Sequence, residues 1–263
     1  MNLKSLARAS FPTVVDAFLN NGYLRDKAAD MISKRAYRAL VEDDPDGRLK
    51  TVQEDKYWEM MGLVRGFKRA CDKGIVSKKV RRSLVDVFIN NIVLDRKRWE
   101  RAEEMGQTPP LFLLISPTGK CNLRCKGCYA ESEAGDLPSL DFETFDRIVT
   151  EKTEMWGSYF TVVSGGEPFM WRDGAYDLLD MAERHKSNFW MVYTNATLID
   201  EKLANRMAEV GNISPVISVE GFQKETDERR GSGVFKKVLN AMQHLRNAGV
   251  PFGISTVPTR KNW

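Results

Sequence analysis

The sequence predicts an α/β fold with parallel strands, preceded by an all-helical N-terminal region. Residues 10–101 space their apolar side chains at helical intervals, with little of the alternation that is typical of strands. From residue 111 onward, five short apolar runs alternate with helical patterns. This alternation indicates parallel strands that are joined by right-handed helical crossovers. The predicted domains are therefore 1–108 and 109–263.

The N-terminal region is expected to consist of several short helices. Turn-forming residues interrupt it near Gly22, Gly47 and Gly74. Residues 1–105 contain 22 Lys and Arg against 16 Asp and Glu, so this region is basic. Its basic positions could face an anionic lipid surface or nucleic acid, or they could form a solvated helix face. These positions are Lys78, Lys79, Arg81, Arg82, Arg96, Lys97, Arg98 and Arg101.

The boundary between the two regions is placed at Pro109 and Pro110, because paired prolines cannot continue a helix and favour an extended chain. The strand candidates after it are continuous apolar runs, as expected for parallel strands that are covered on both faces. They are 111–115, 159–163, 188–193, 215–219 and 251–257. The last helical pattern between them ends at Gly249. Because the carboxyl ends of parallel strands share one edge, the loops that follow these strands should meet there.

The composition predicts a globular, cytoplasmic protein. No apolar run approaches the roughly 20 residues of a membrane span, and the N-terminal residues lack the apolar block of a secretory signal. The chain has four cysteines, and three of them are clustered. This pattern argues against the disulfide framework of a secreted protein and for a reducing compartment. Nucleic acid is not expected as a partner.

Cys121, Cys125 and Cys128 lie within eight positions of each other, in the loop after the first predicted strand. Thiolates are soft ligands that suit iron–sulfur clusters and zinc. A structural zinc site needs four ligands, whereas this loop offers three, which would leave one iron of a four-iron cluster open. The spacing alone also allows a zinc site completed by His185 or His244, or three unrelated thiols.

The C-x-x-x-C-x-x-C spacing after a first strand resembles the signature of the radical S-adenosylmethionine (radical SAM) superfamily. The resemblance implies a partial (β/α)6 barrel, in which Cys121, Cys125 and Cys128 bind a [4Fe-4S] cluster. It also implies that S-adenosylmethionine binds the fourth iron and is cleaved by an electron from the reduced cluster. The resulting 5′-deoxyadenosyl radical would take a hydrogen atom from the substrate, which is oxidoreductase-type chemistry.

A second motif, after the second predicted strand, resembles the GGEP motif of the same family. Two glycines would let the backbone pass close to a ligand, and Glu167 offers an acceptor for an ammonium group. The resemblance implies that this segment binds the methionyl amino group of S-adenosylmethionine. Its residues are Gly165, Gly166, Glu167 and Pro168.

The third predicted strand ends in a sequence similar to the TNGTL of family members that have a SPASM or Twitch extension. The resemblance implies that Asn195 contacts the cofactor. This chain has Ala196 where the family usually has glycine. It also has Gly127 before the third cysteine, where the family often has an aromatic residue that helps to seat the adenine, and Tyr129 follows that cysteine.

The fourth predicted strand ends at Ser218 and is followed by Glu220 and Gly221, similar to the family's S-[LV]-[DE]-G. A stretch similar to D-x-x-R-G-x-G-x-F comes next. The resemblance implies that Ser218 and an arginine contact the ribose or the carboxylate of the cofactor. Arg229 and Arg230 are both candidates, and the motif spacing aligns the arginine with Arg230. A guanidinium can bind a carboxylate bidentately.

The main prediction is a radical SAM enzyme whose substrate is a peptide or protein, or a lipid or other small molecule. Its electron would come from an external flavodoxin-like or ferredoxin-like donor, and no residue is assigned to the catalytic step. The alternative is a metal-containing or cluster-containing binding protein that engages nucleic acid or a partner through its basic helices. Family members usually have six βα units, and five strands precede Trp263. We therefore expect the sixth strand, with room for a cysteine-rich extension that binds auxiliary clusters, beyond that residue.

Overall fold

A computed structural model describes residues 21–43, 47, 49–87, 91, 97–130, 137–260 and 262. The described residues form two compact units, one within Met1–Val76 and the other within Ser77–Trp263. No helix in this part of the chain has the length and apolar character that crossing a membrane requires.

The first unit is helical, as predicted. It comprises α1 (Gly22–Tyr37), a π-helical segment (Arg38–Glu42) and α2 (Lys50–Asp72). The side chain of Asn21 caps α1 by accepting hydrogen bonds from the first backbone amides of the helix. Tyr57 and Met61 of α2 are buried against Val41. These contacts form a small separate core.

The predicted breaks in the N-terminal region coincide with helix ends. α1 begins at Gly22, and the stretches around Gly47 and Gly74 precede and follow α2. Positions 10–20, 44–46, 48, 88–90 and 92–96 of the predicted helical region lie outside the described residues.

The second unit is built on a five-stranded sheet with the order β1-β2-β5-β6-β7, in which every neighbouring pair is parallel. Its strands are β1 (Phe112–Ile115), β2 (Phe160–Val163), β5 (Phe189–Thr194), β6 (Ile213–Ser218) and β7 (Gly253–Ser255). A small antiparallel pair, β3 (Arg172–Asp173) and β4 (Tyr176–Asp177), follows β2 in the chain. The five parallel strands begin and end within two residues of the predicted positions. The predicted α/β fold with a partial barrel is confirmed.

Seven α-helices of the described residues belong to this unit. They are α3 (Lys78–Val85), α4 (Lys97–Met105), α5 (Phe142–Trp156), α6 (Leu178–Arg184), α7 (Glu201–Val210), α8 (Gln223–Arg230) and α9 (Val234–Ala248). α9 ends at Gly249, as predicted, with a φ of 73°. A side chain there would place its Cβ 2.6 Å from the backbone nitrogen of Ser77, so the close approach requires glycine.

The core of this unit lies between the sheet and the helices. Trp190, Ile217 and Leu245 are buried to 0% exposure. Each large side chain buried in this way stabilises the fold by roughly 1.5–3 kcal/mol. On the opposite face of the sheet, Leu114 and Tyr193 remain exposed. The helices therefore cover one face of the sheet, and the loops at the carboxyl edge of the strands are left to form a site.

The division between the two units falls earlier in the chain than the predicted domain boundary. The backbone nitrogen of Ser77 donates to the carbonyl of Gly249 at 2.9 Å, and Arg98 Nε donates to the carbonyl of Pro109 at 3.0 Å. α3 and α4 are thus grouped with the sheet. These contacts do not show whether residues 1–108 fold as an independent domain. The predicted boundary at residue 108 therefore stays a prediction.

Candidate functional site

The loop after β1 holds the three clustered cysteines at the carboxyl edge of the sheet. The hydroxyl of Thr118 lies 2.7 Å from that of Ser139 and accepts a hydrogen bond from the Lys120 amide, which fixes the start of the loop. Further on, the Cys128 amide donates to the carbonyl of Cys125 at 3.2 Å, across a turn at Gly127, whose φ is 65°. The turn therefore brings the second and third cysteines back toward one another.

Cys121, Cys125 and Cys128 are all partly exposed. Burial raises the pKa of the Cys121 and Cys125 thiols, and the charge of Arg230 opposes this rise at Cys125. Thiols of this kind must lose their protons when they bind iron. The donor set of three thiols on one loop, reachable from solvent, fits a [4Fe-4S] cluster with one iron left for another ligand.

A zinc site is the alternative interpretation of the three cysteines. In the part of the chain that the structure describes, no three His, Cys, Asp or Glu side chains converge closely enough to hold one metal ion. The thiolates of a four-iron cluster each bind a different iron, so they do not need to converge on one point. His185, a candidate fourth ligand in the zinc interpretation, instead has Nε2 2.7 Å from Oδ1 of Asp146.

The two glycines after β2 pack the loop of the second motif against the cysteine loop. The amide of Gly166 donates to the carbonyl of Thr118 at 2.9 Å, and the amide of Glu167 donates to that of Lys120 at 2.7 Å. A Cβ at Gly166 would lie 2.1 Å from the carbonyl oxygen of Lys120, and Gly165 has a φ of 108°. Contact between the two loops is therefore a reason for these glycines, in addition to the predicted approach of a ligand.

Glu167 is fully buried, and its carboxylate joins the loops after β2 and β5. Oε1 accepts hydrogen bonds from the Thr194 hydroxyl at 2.7 Å and the Phe169 amide at 3.2 Å, and Oε2 accepts one from the Asn195 amide at 2.8 Å. Burial raises the pKa of this carboxyl to about 7. Pro168 then begins a short 3-10 helix. The Glu167 carboxylate thus accepts three hydrogen bonds from the protein itself. Its contact with the cofactor amino group stays a prediction.

Asn195, at the end of β5, reaches the cysteine loop. Its Nδ2 donates to Oδ1 of Asn122 at 2.9 Å and to Sγ of Cys121 at 3.7 Å, while its Oδ1 accepts from the Thr197 amide at 2.9 Å. Ala196 has a φ of 60° and is buried. The chain therefore keeps the left-handed conformation that a glycine would adopt here, at a cost of about 1 kcal/mol.

Glu220 is buried beyond the end of β6, where it binds two arginines from the end of α8. Arg230 donates to Oε1 of Glu220 through Nε at 3.1 Å and Nη2 at 2.5 Å, and to Sγ of Cys125 through Nη1 at 3.9 Å. Nη1 of Arg229 lies 2.8 Å from the same carboxylate oxygen. Burial opposes ionisation of Glu220, but the two arginines hold the pKa of its carboxyl below the usual value.

α8 is also connected to the cysteine loop through backbone groups. The amide of Lys126 donates to the carbonyl of Arg229 at 2.8 Å, and Nε of Arg229 donates to the carbonyl of Lys126 at 3.3 Å. A cleft of about 510 Å³ opens beside this connection, and Glu220 and Asn262 contribute to its walls. The loops after β1 and β6 therefore meet at this cleft.

The structure connects most of the predicted site residues directly. Hydrogen bonds link seven of them to one another or to the cysteine loop: Cys121, Cys125, Cys128, Gly166, Glu167, Asn195 and Arg230. Gly165 and Pro168 lie beside Gly166 and Glu167 in the adjoining loop. The side chains of Cys128 and Ser218 lie on the same edge, and neither forms a hydrogen bond to another described residue.

Two buried residues of this site, Thr194 and Glu220, were not predicted to have a role. Each ends a strand or follows one, where polar residues are expected to contribute to a site. The sequence signal for Glu220 is an acidic residue at a strand end that precedes a pair of arginines by nine and ten positions. Thr194 begins the stretch that resembles TNGTL, but nothing in the sequence identified Glu167 as its partner.

Residues 115–262 match the family model of the Radical SAM superfamily. The chain is 30% identical over 148 residues to Fe-coproporphyrin III synthase of Methanosarcina barkeri, which covers 55% of this chain and 36% of that protein. It is 31% identical over 161 residues to mycofactocin maturase MftC of Mycolicibacterium smegmatis, which covers 60% of this chain and 40% of that protein. In each comparison, the chain spans less than half of the relative's length.

The fold is shared with a solved structure, that of Streptococcus suis SuiB bound to precursor peptide SuiA. The TM-score is 0.52 at 23% sequence identity, and the alignment covers 64% of this chain and 38% of SuiB. Similarity at this level of identity shows the shared fold.

Proposed function

The chain belongs to the radical SAM superfamily, and on that premise we propose that it is the cofactor-cleaving part of a radical enzyme. The cofactors of the family are a [4Fe-4S] cluster and S-adenosylmethionine. Together they supply a one-electron reductive cleavage that gives methionine and a 5′-deoxyadenosyl radical, which removes a hydrogen atom from a substrate. The observation that supports this proposal most strongly is that the loops after β1, β2, β5 and β6 all meet around three thiols.

We assign the cluster to Cys121, Cys125 and Cys128, one thiolate to each of three irons. The loop of Gly165, Gly166, Glu167 and Pro168 is proposed to present backbone groups to the cofactor, since the Glu167 carboxylate is already bound within the protein. Asn195 and Ser218 complete the proposed cofactor site, and Arg230, whose Nε and Nη2 already donate to Glu220, lies beside the cluster thiols. Ser218 is partly exposed, and its hydroxyl forms no hydrogen bond to other described residues, so it is available to a ribose or carboxylate.

The proposed substrate is a peptide or protein side chain, or a lipid or other small molecule. The similar proteins include a maturase and a porphyrin synthase by name, which supports both substrate classes. A flavodoxin-like or ferredoxin-like protein is proposed as the electron donor, and oxidoreductase chemistry as the outcome. We place the enzyme in the cytoplasm because a reducing compartment protects an exposed cluster.

The alternative, a metal-containing or cluster-containing binding protein that engages nucleic acid or a partner, has no specific support in the described residues. In its zinc form it would need a converging set of ligands, and the described residues hold no such set of three. Basic helices alone are as typical of a solvated surface as of a nucleic-acid interface.

Anaerobic reconstitution with iron and sulfide tests the proposed function. We expect about four irons per chain and production of 5′-deoxyadenosine from S-adenosylmethionine after reduction. Cys125→Ala protein, treated identically, is the control and should make none. One zinc per chain with no cofactor cleavage would contradict the proposal.

A further inference from the structure

The guanidinium of Arg230 lies between a buried carboxylate and a cysteine thiol. Nε and Nη2 donate to Oε1 of Glu220 at 3.1 and 2.5 Å, and Nη1 donates to Sγ of Cys125 at 3.9 Å. The side chains of Arg230 and Glu220 are only 13% and 3% exposed. All three guanidinium nitrogens therefore have a partner within the protein, in a place where water screens the charges weakly.

We propose that Arg230 is a positioning residue that raises the reduction potential of the cluster by donating a hydrogen bond to the Cys125 thiolate, with Glu220 holding it in place. This inference rests on the proposed function, because it assumes that Cys125 binds a cluster iron. Reduction adds negative charge to a cluster and its thiolates. A hydrogen bond from a cationic donor stabilises that charge, and contacts to ligand sulfurs are a known control of cluster potential.

This role differs from the one that the sequence resemblance implied for Arg230. A carboxylate is bound bidentately through two parallel N–H groups. The Nε and Nη2 edge of Arg230 already faces Glu220, which occupies one such pair. Nη1 is the remaining nitrogen, and it faces the sulfur. The geometry therefore assigns to Arg230 a function toward the cluster that does not depend on a cofactor carboxylate.

The neighbouring Arg229 provides a matched control. Its Nη1 lies 2.8 Å from the same oxygen of Glu220, so it has the same charge and shares the same carboxylate. Its Nε donates to the carbonyl of Lys126 rather than to a sulfur. Replacing either arginine by glutamine removes one positive charge near the cysteine loop, but only the change at Arg230 removes a donor to a thiolate.

The test is a redox titration of the reconstituted cluster, followed by electron paramagnetic resonance in the absence of S-adenosylmethionine. Arg230→Gln should move the midpoint potential to more negative values, and by clearly more than Arg229→Gln does. Arg230→Lys keeps the charge but cannot reproduce the two-sided contact, so its potential should also fall. Equal shifts in the Arg229→Gln and Arg230→Gln proteins, or no shift in the latter, would overturn the proposal.

Glu220→Asp tests the same proposal without altering Arg230. The charge is unchanged, but the carboxylate is withdrawn by one methylene and can no longer hold the guanidinium against the sulfur. The potential should fall, and an unchanged potential overturns the proposal even if the Arg230→Gln protein fails to retain iron. The proposed function is tested separately by 5′-deoxyadenosine production in the unaltered protein. If the unaltered protein made no 5′-deoxyadenosine while the variants still showed the expected shifts in midpoint potential, the proposed function would be rejected and the role of Arg230 would remain supported.

Discussion

The hydroxyl of Thr194 donates a 2.7 Å hydrogen bond to Oε1 of Glu167, 27 residues earlier in the chain, and neither side chain is more than 2% exposed. This bond joins the ends of β5 and β2 beneath the candidate cofactor site. The carboxylate of Glu167 also accepts from two backbone amides. Glu167, which was predicted to contact the cofactor, therefore also connects the ends of two strands.

Replacing Glu167 by alanine should lower both stability and cofactor affinity. Three buried donors would lose their acceptor, at a cost of about 2–4 kcal/mol in the free energy of unfolding. Iron content should be retained, because all three thiols remain. Thermal unfolding measures the stability, binding of S-adenosylmethionine to the reconstituted protein measures the affinity, and iron analysis checks that the cluster is retained. Glu167→Gln, which keeps one acceptor oxygen, should be affected less. A Glu167→Ala protein as stable as the unaltered one would contradict the structural role.

Replacing Cys121, Cys125 or Cys128 by alanine should abolish cluster loading, because each change removes a ligand from a set of three. Production of 5′-deoxyadenosine should disappear with the iron. Cys71→Ala is the control: this buried residue lies in the first unit, so its loss should cost about 1 kcal/mol of stability and leave iron content unchanged. Iron quantification distinguishes the two groups, and a Cys71→Ala protein without a cluster would show that the ligand assignment is wrong.

Two glycines near the cysteines should respond very differently to alanine. At Gly166 the new Cβ would lie 2.1 Å from the carbonyl oxygen of Lys120, so the two loops must separate. At Gly127 no atom lies within 4 Å, and only the φ of 65° is unfavourable, which costs about 1 kcal/mol. We expect Gly166→Ala to lose cofactor binding and several degrees of thermal stability. Gly127→Ala should retain its cluster, and similar losses in both variants would refute this explanation.

Lys152 should make stability depend on pH. Burial lowers the pKa of its ammonium group from 10.5 to about 7, and Nζ donates to the carbonyl of Ser158 and to Oδ1 of Asn188. Between pH 7 and pH 10.5 the unfolded chain binds more protons than the folded protein, so stability rises with pH in that window.

The free energy of unfolding, measured in urea for the unaltered and Lys152→Met proteins, isolates this contribution. Relative to the Lys152→Met protein, the free energy of unfolding of the unaltered protein should increase by on the order of 2–4 kcal/mol between pH 7 and pH 10. Lys186→Met, which removes an amino group from an exposed side chain, is the control. A difference that is constant with pH would show that Lys152 is solvated in the folded protein.

The strands could be predicted from the sequence because they appear as continuous apolar runs. The expectation that both faces of the sheet are covered was wrong, since Leu114 and Tyr193 are exposed on one face. The meeting of the loops followed from topology alone, since carboxyl ends of parallel strands share one edge. The roles of individual side chains did not follow. Glu167 has the same motif position whether it faces a ligand or the interior, and only its hydrogen bonds with Thr194 and Asn195 show which groups it binds.

Ala196 illustrates the same limit for the backbone. An alanine in place of the usual glycine put the local conformation in question, and the structure retains a φ of 60°. The preference of a single residue is worth about 1 kcal/mol, which the surrounding burial and the hydrogen bond from the Ala196 amide to the Thr194 hydroxyl can outweigh. Such tertiary effects are not visible in a local sequence pattern.

The strand order determines which parts of the sheet can form early in folding. Met191 of β5 pairs with Ser214 of β6, 23 positions later, whereas Leu114 of β1 pairs with Val162 of β2, 48 positions later. Closing a longer loop costs more entropy, so β5 and β6 should associate first and β1 last. Pulse-labelled hydrogen exchange should show amides of β5 and β6 protected before those of β1. The cysteine loop lies in the connection between β1 and β2, so if β1 pairs last, we expect its thiols to be exposed to oxidants for longer than the rest of the sheet.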